Sequence, residues 1–175
     1  AILGAGPVGI QALVCAQLYG PSRIIVVDPV PERRALAVSL GAEAVTPDNA
    51  LMHVIEVTGG QGADAVIEAV GAQETIHSGM MLARPGAVLA VIGVNLEMDF
   101  PLPMPLAVTK DLTMAFGVVP VPEFWPALIP LLQSGRIRPE AVFSHRLGLS
   151  EGAEAYRRFD KREDGFMKVL LDPTS

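Results

Sequence analysis

The chain has 175 residues, a formal charge of −6, half of its residues apolar and a single cysteine, which bounds it at one domain or one domain with an appendage. The mixed, net acidic charge argues against a nucleic acid or an anionic membrane as partner, and the apolar runs fall far short of the roughly 20 residues a membrane helix needs. Cys15 alone excludes an internal disulfide and a cysteine-rich zinc cage. It fits a reducing, cytoplasmic compartment, and no signal or transit segment is visible.

In chain order the pattern is strand, turn, helix, repeated. Ala1–Leu3 reads as the stub of a strand and Pro7–Leu18 as a helix with proline in its first turn. The β-branched run from Arg23 to Asp28 is a buried strand. A helix then runs from Pro31 to a stop at Gly41, followed by a short strand at Ala44–Val45 and a helix from Asp48 to Val57. The Gly59–Gly62 cluster is a turn, residues 63–71 a strand ending in glycine, Gln73–Leu82 a helix, Arg84–Gly86 a turn and Ala87–Val94 a strand. This alternation predicts a doubly wound six-stranded parallel sheet, an α/β fold with strand order 3-2-1-4-5-6.

Beyond Pro101 the texture changes, with seven prolines between Pro101 and Pro130. Residues 100–105 read as an extended loop, Asp111–Phe116 as the sixth strand and Glu123–Ser134 as a helix closed by Gly135. After Pro139 the pattern is a strand–helix–strand appendage: Phe143–Leu147, then Glu151–Phe159 with Ser150 as N-cap, then Phe166–Leu171. We therefore divide the chain into a domain at 1–138 and a tail at 139–175 that returns to another layer or domain. The apolar excess fits a surface that meets such a domain.

The first turn carries the chemistry. Gly4, Gly6 and Gly9, with Pro7 and Val8 between them, lie where a strand ends and a helix begins. Gly4 permits the turn, Gly6 leaves room for a pyrophosphate against the backbone, and Gly9 lets the helix approach the sheet. The free amides and dipole of the helix start attract the phosphates. Asp28 ends the second strand, 19 residues after Gly9 (28 − 9), where a carboxylate accepts hydrogen bonds from the adenosine ribose hydroxyls. Its charge repels a 2′-phosphate, so NAD is favoured over NADP. Arg33 and Arg34 are the counter-evidence, since an arginine there accepts a 2′-phosphate. Arg34 reads as solvated helix face and Arg33 as reaching the ribose. A bare strand–helix connection without ligand, and a methyltransferase, are the competing readings of this turn.

With these motifs the chain resembles the medium-chain dehydrogenase/reductase family, specifically its zinc-dependent alcohol dehydrogenases, along its whole length. "GAGPVG" is similar to the family's dinucleotide turn, "VVDP-PERR-A-LGA" to its second strand–helix unit, and "TGGQGADAVIEAVG" and "RPGAVLAVIGV" to its fourth and fifth strands. The tail is most similar to the formaldehyde and polyol dehydrogenase group. The resemblance implies a Rossmann domain binding NAD. It places Ala69 and Val70 against the adenine-side ribose, Ile92, Gly93 and Val94 along the nicotinamide, and Met114 and Phe116 near the carboxamide. For each of these the competing reading is ordinary core. It also implies a homodimer or homotetramer built through the sixth strand, although proline-guarded edges occur in monomers too.

The resemblance implies a zinc that polarises an alcohol or aldehyde substrate, yet ligands for it are not evident in the sequence. Cys15 reads as a packing residue, and His53, His77 and His145 lack metal-ligand spacing. Glu68 has no evident acid/base partner. No catalytic or metal residue is therefore assigned. In the family the zinc ligands lie upstream of the cofactor domain, so the chain is expected to be the cofactor half of a longer enzyme, cut within its first strand. The alternatives are a zinc-free quinone or enone reductase of the same family and a non-catalytic NAD-binding module.

Overall fold

The computed structural model describes residues 1–161 and 163–174. Six parallel strands form one sheet in the order β3-β2-β1-β4-β5-β6, as expected. They are β1 (Ile2–Leu3), β2 (Ile25–Val27), β3 (Glu43–Val45), β4 (Ala63–Glu68), β5 (Ala83–Val91) and β6 (Thr113–Phe116). The helices α1 (Pro7–Ala16), α2 (Pro31–Ser39), α3 (Pro47–Val57) and α4 (Gln73–Leu82) connect them. Successive strand residues point to opposite faces, and both faces are covered. Leu3 and Val27 join the core under α3 and α4, whereas their neighbours Ile2 and Val26 join the core under α1 and α2. Chain order along the sheet reverses between β1 and β4, which opens a crevice at their carboxyl ends.

Several local expectations are corrected. Residues 100–105 are not wholly extended: a short helix α5 (Met104–Thr109) starts inside them, with Pro105 in its first turn, where a missing N–H costs nothing. Arg84-Pro85-Gly86 does not simply precede a strand. β5 is already paired at Ala83, and the register then jumps from Ala63↔Ala83 to Ala65↔Val88, so these residues bulge out of the ladder. Helix α6 (Val121–Gln133) begins two residues before the predicted start and carries Pro126 and Pro130 inside it. Gly135 closes it at φ +69°, its N–H bonded to the Leu132 carbonyl.

The tail forms its own parallel pair, β7 (Phe143–Gly148) and β8 (Lys168–Asp172), joined through α7 (Gly152–Asp160). Ser150 is not the cap of α7, because a 3₁₀ turn over Leu149–Glu151 precedes the helix and the Glu151 carboxylate accepts the Gly148 N–H at 2.9 Å. The tail docks on the first half of the sheet. Val142 and Met167 are buried in the cluster that holds Ala5, Ile10 and Leu13, and Gln11 Nε2 donates to the Pro139 carbonyl at 2.9 Å. Among the described residues no helix is long and apolar enough to cross a membrane.

Candidate functional site: a dinucleotide crevice

Three strand exits converge on the crevice. The first is the turn after β1. Gly4 adopts φ +91°, a conformation that β-carbon-bearing residues resist, and a Cβ there would lie 2.6 Å from Val70 Cγ2. Gly9 brings α1 so close to β1 that a Cβ would fall 1.8 Å from the Gly4 carbonyl oxygen. Gly6 is the N-cap of α1 and Pro7 its first residue, and no side chain caps this helix start. The first-turn amides of Val8 and Gly9 therefore have no partner within the helix. A Cβ on Gly6 would meet only Arg33 Nη1, at 3.9 Å, so the space in front of the turn is open up to that guanidinium. An anionic group fits such a place by size and by charge. Val8 is exposed at the same helix start.

The second exit carries Asp28, only 2% exposed. Its carboxylate accepts the Ala5 N–H through Oδ2 at 2.7 Å and the Val30 N–H through Oδ1 at 2.8 Å. Each oxygen keeps a further acceptor site. Arg33 Nη1 stands 3.9 Å from Oδ2, so this side chain lies between Asp28 and the glycine turn. Arg34 departs from the solvated role expected of it: Nη1 donates to the Asp28 carbonyl at 2.7 Å and ties α2 to the end of β2.

The third exit joins the loops after β4 and β5. Ala69 is half-buried, while Val70 and Ile92 are partly exposed and Val94 is open. Gly71 and Gly93 let these loops touch, since a Cβ on Gly93 would lie 2.1 Å from the Gly71 nitrogen. Beside them β6 pairs Met114 with Leu89 and Phe116 with Val91. Met114 packs against the buried core, whereas Phe116 is 63% exposed.

The sequence missed the organiser of this third exit. Glu68 is fully buried, and its carboxylate accepts the N–H groups of Val70 and Gly71 and the Thr75 hydroxyl at 2.8–2.9 Å. A carboxylate two and three residues before the amides of a glycine turn is the local signal that could have exposed it.

The other polar candidates lie apart. His53 Nε2 is 2.8 Å from Glu43 Oε2, and His145 stacks on Phe166 at 3.8 Å. Cys15 sits half-buried on α1, where burial pushes its thiol pKa up. Among the described residues no three His, Cys, Asp or Glu side chains gather as a metal site, so the residues present do not fit the zinc that the resemblance implies.

The profile of a family described as zinc-binding dehydrogenase matches residues 7–134. A probable zinc-binding alcohol dehydrogenase of Mycobacterium tuberculosis is 35% identical over the whole chain, which covers 45% of that protein. The solved alcohol dehydrogenase TADH from Thermus sp. ATN1 superposes with a TM-score of 0.90 at 39% identity, over 97% of this chain and 49% of that one. An alcohol dehydrogenase from E. coli CFT073, complexed with NADH, superposes with a TM-score of 0.85 at 25% identity, over 97% and 50%. The chain thus spans about half the length of the relatives it matches. It belongs to the zinc-binding dehydrogenase family.

Proposed function

We propose that the chain binds NAD across the β1/β4 crevice, as the cofactor half of a zinc-dependent dehydrogenase. The enzyme would interconvert an alcohol or polyol and its aldehyde or ketone by hydride transfer. The observation that carries this reading is the bond between Asp28 and Ala5. It sets a buried carboxylate directly against the glycine turn, with acceptor capacity left for ribose hydroxyls beside an open anion site. The pyrophosphate would lie on the α1 start at Gly4, Gly6, Pro7, Val8 and Gly9. The adenosine ribose would meet Asp28 and Arg33, with Ala69 and Val70 beside it. The nicotinamide would lie along Ile92, Gly93 and Val94, with Met114 and Phe116 on its far side.

The bound nicotinamide would supply the hydride acceptor or donor. The residues of this chain hold and orient it, and exclude a 2′-phosphate through the Asp28 charge. In this reading the zinc is held by a part of the protein outside these 175 residues, and residues 139–175 face that part. The solitary cysteine fits work in the cytoplasm.

Calorimetric titration with NAD and NADP tests the reading. Binding of NAD at least about tenfold tighter than NADP supports it. Equal affinities sink the ribose assignment, and no affinity for either sinks the function.

A further inference from the structure

We propose that Glu68 is a positioning residue that holds the exits of β4 and β5 in the shape a bound dinucleotide requires. This rests on the dinucleotide reading above. Glu68 ends β4 with no exposed surface. Its Oε1 accepts from the Val70 N–H at 2.8 Å, the Gly71 N–H at 2.9 Å and the Thr75 hydroxyl at 2.8 Å, and its Oε2 lies 3.1 Å from the Gly71 nitrogen. Its own carbonyl accepts the Ile92 N–H at 2.8 Å and the Gly93 N–H at 3.0 Å. One residue therefore fastens the Ala69–Gly71 turn with its side chain and the Ile92–Gly93 turn with its backbone. Asn95 adds a second tie, Nδ2 to the Gly71 carbonyl at 2.9 Å.

The choice of residue is informative. A buried carboxylate is costly, and an apolar side chain at a strand end would pack as well. Here every partner named is a neutral donor, so the charge is spent on orienting amides. Glutamine could not replace it, because its NH₂ group would face the Gly71 N–H across the position of Oε2. Thr75 brings α4 into the same lock, and its hydroxyl also lies 2.9 Å from the Ala72 carbonyl. What the lock holds is backbone that lines the crevice, and none of its side chains needs to touch the cofactor.

The test is NADH binding, followed by fluorescence, for the unmodified protein and for Thr75→Val, Thr75→Ser and Glu68→Gln, with circular dichroism to verify folding. Thr75→Val keeps the volume and deletes the hydroxyl, whereas Thr75→Ser keeps the hydroxyl and deletes a methyl. The expected result is near-normal binding by Thr75→Ser and about tenfold weaker binding by Thr75→Val and Glu68→Gln. Equal losses in the two Thr75 variants, or full affinity in Thr75→Val, overturn the inference, because packing alone would produce them. If Glu68→Gln does not fold, the Thr75 pair still decides. Unmodified protein that fails to bind NADH overturns the dinucleotide reading and this inference with it. Binding that Thr75→Val leaves unchanged overturns the inference alone.

Discussion

The Asp28 carboxylate accepts the Ala5 N–H at 2.7 Å and so joins the end of β2 to the middle of the glycine turn. The same oxygen that shapes the turn stands beside the proposed ribose. Asp28→Asn keeps the size and loses the charge and one acceptor, so it should weaken NAD binding about tenfold and narrow the preference over NADP. Asp28→Ala should do both more severely and also destabilise the fold by about 2 kcal/mol, because two backbone N–H groups lose their buried partner. Calorimetry with both cofactors and thermal melts of both variants check this. An unchanged cofactor preference in Asp28→Asn would remove the charge from the account.

The legible parts of this molecule were those encoded locally. Glycines at a strand exit and an acid at the next strand's end are properties of short stretches, so Gly4, Gly9 and Asp28 could be read in place. Consecutive apolar residues such as Ile25–Val27 announced a strand buried on both faces. What escaped depended on distant or backbone partners. Among the described residues Glu68 has no charged mate, since it binds backbone amides and a hydroxyl whose approach a sequence does not display. Pro105 reads as a breaker, although at a helix start it is an initiator. Ser150 looked like a cap until the preceding 3₁₀ turn handed that role to Glu151.

Gly9 is the most sterically constrained position of the turn. A Cβ would lie 1.8 Å from the Gly4 carbonyl oxygen, a backbone atom that no rotamer change can move aside. Gly9→Ala must push α1 off β1, at a cost of about 3 kcal/mol or more. For a chain of this size that lowers Tm by roughly 6–12 °C. Calorimetric melting measures it, and a Tm within a degree of the unmodified protein would contradict the close approach.

Lys110 closes the carboxyl end of α4. Its Nζ donates to the carbonyls of Met80, Met81 and Ala83 at 2.7–3.0 Å, and burial lowers its pKa. Two opposing terms meet here, since desolvation of the ammonium disfavours the arrangement while three bonds to helix-end carbonyls favour it. The bonds should win. Lys110→Met is expected to lose about 2 kcal/mol, read by urea denaturation. A more stable variant would show that desolvation dominates.

Cys15 predicts a pH dependence. Burial raises its pKa above the ordinary thiol range, so at pH 8 the native protein holds less thiolate than a free thiol and iodoacetamide should alkylate it more slowly. Between the ordinary thiol pKa and the raised one, the folded chain keeps a proton that the unfolded chain has released, so stability falls as pH rises through that window. Cys15→Ala should flatten this alkaline decline. Alkylation rates of native and denatured protein across pH 7–10 provide the measurement, and a native rate equal to the denatured one would refute the shift.

β6 sits at the edge of the sheet, paired with β5 alone in the strand order. Its residues Thr113–Phe116 include no proline, so the free side of the strand can accept another ladder, and the prolines at 120 and 122 lie beyond it. After β6 in the chain, α6 has no buried residue and presents Phe124 and Trp125, the latter 58% exposed. Charged residues are a usual defence against pairing, and the four residues of this short edge strand include none, while Phe116 is 63% exposed. A second copy of the chain would cover the edge through an isologous contact, extending the sheet across a twofold axis. Phe116→Lys places a charge on that edge at an exposed position outside the buried core. The unmodified protein should sediment as a dimer or larger assembly with a concentration-dependent Tm, and Phe116→Lys as a folded monomer whose Tm no longer depends on concentration. A monomeric unmodified protein would mean that the flanking prolines guard the edge and that its apolar surface meets something other than a second copy.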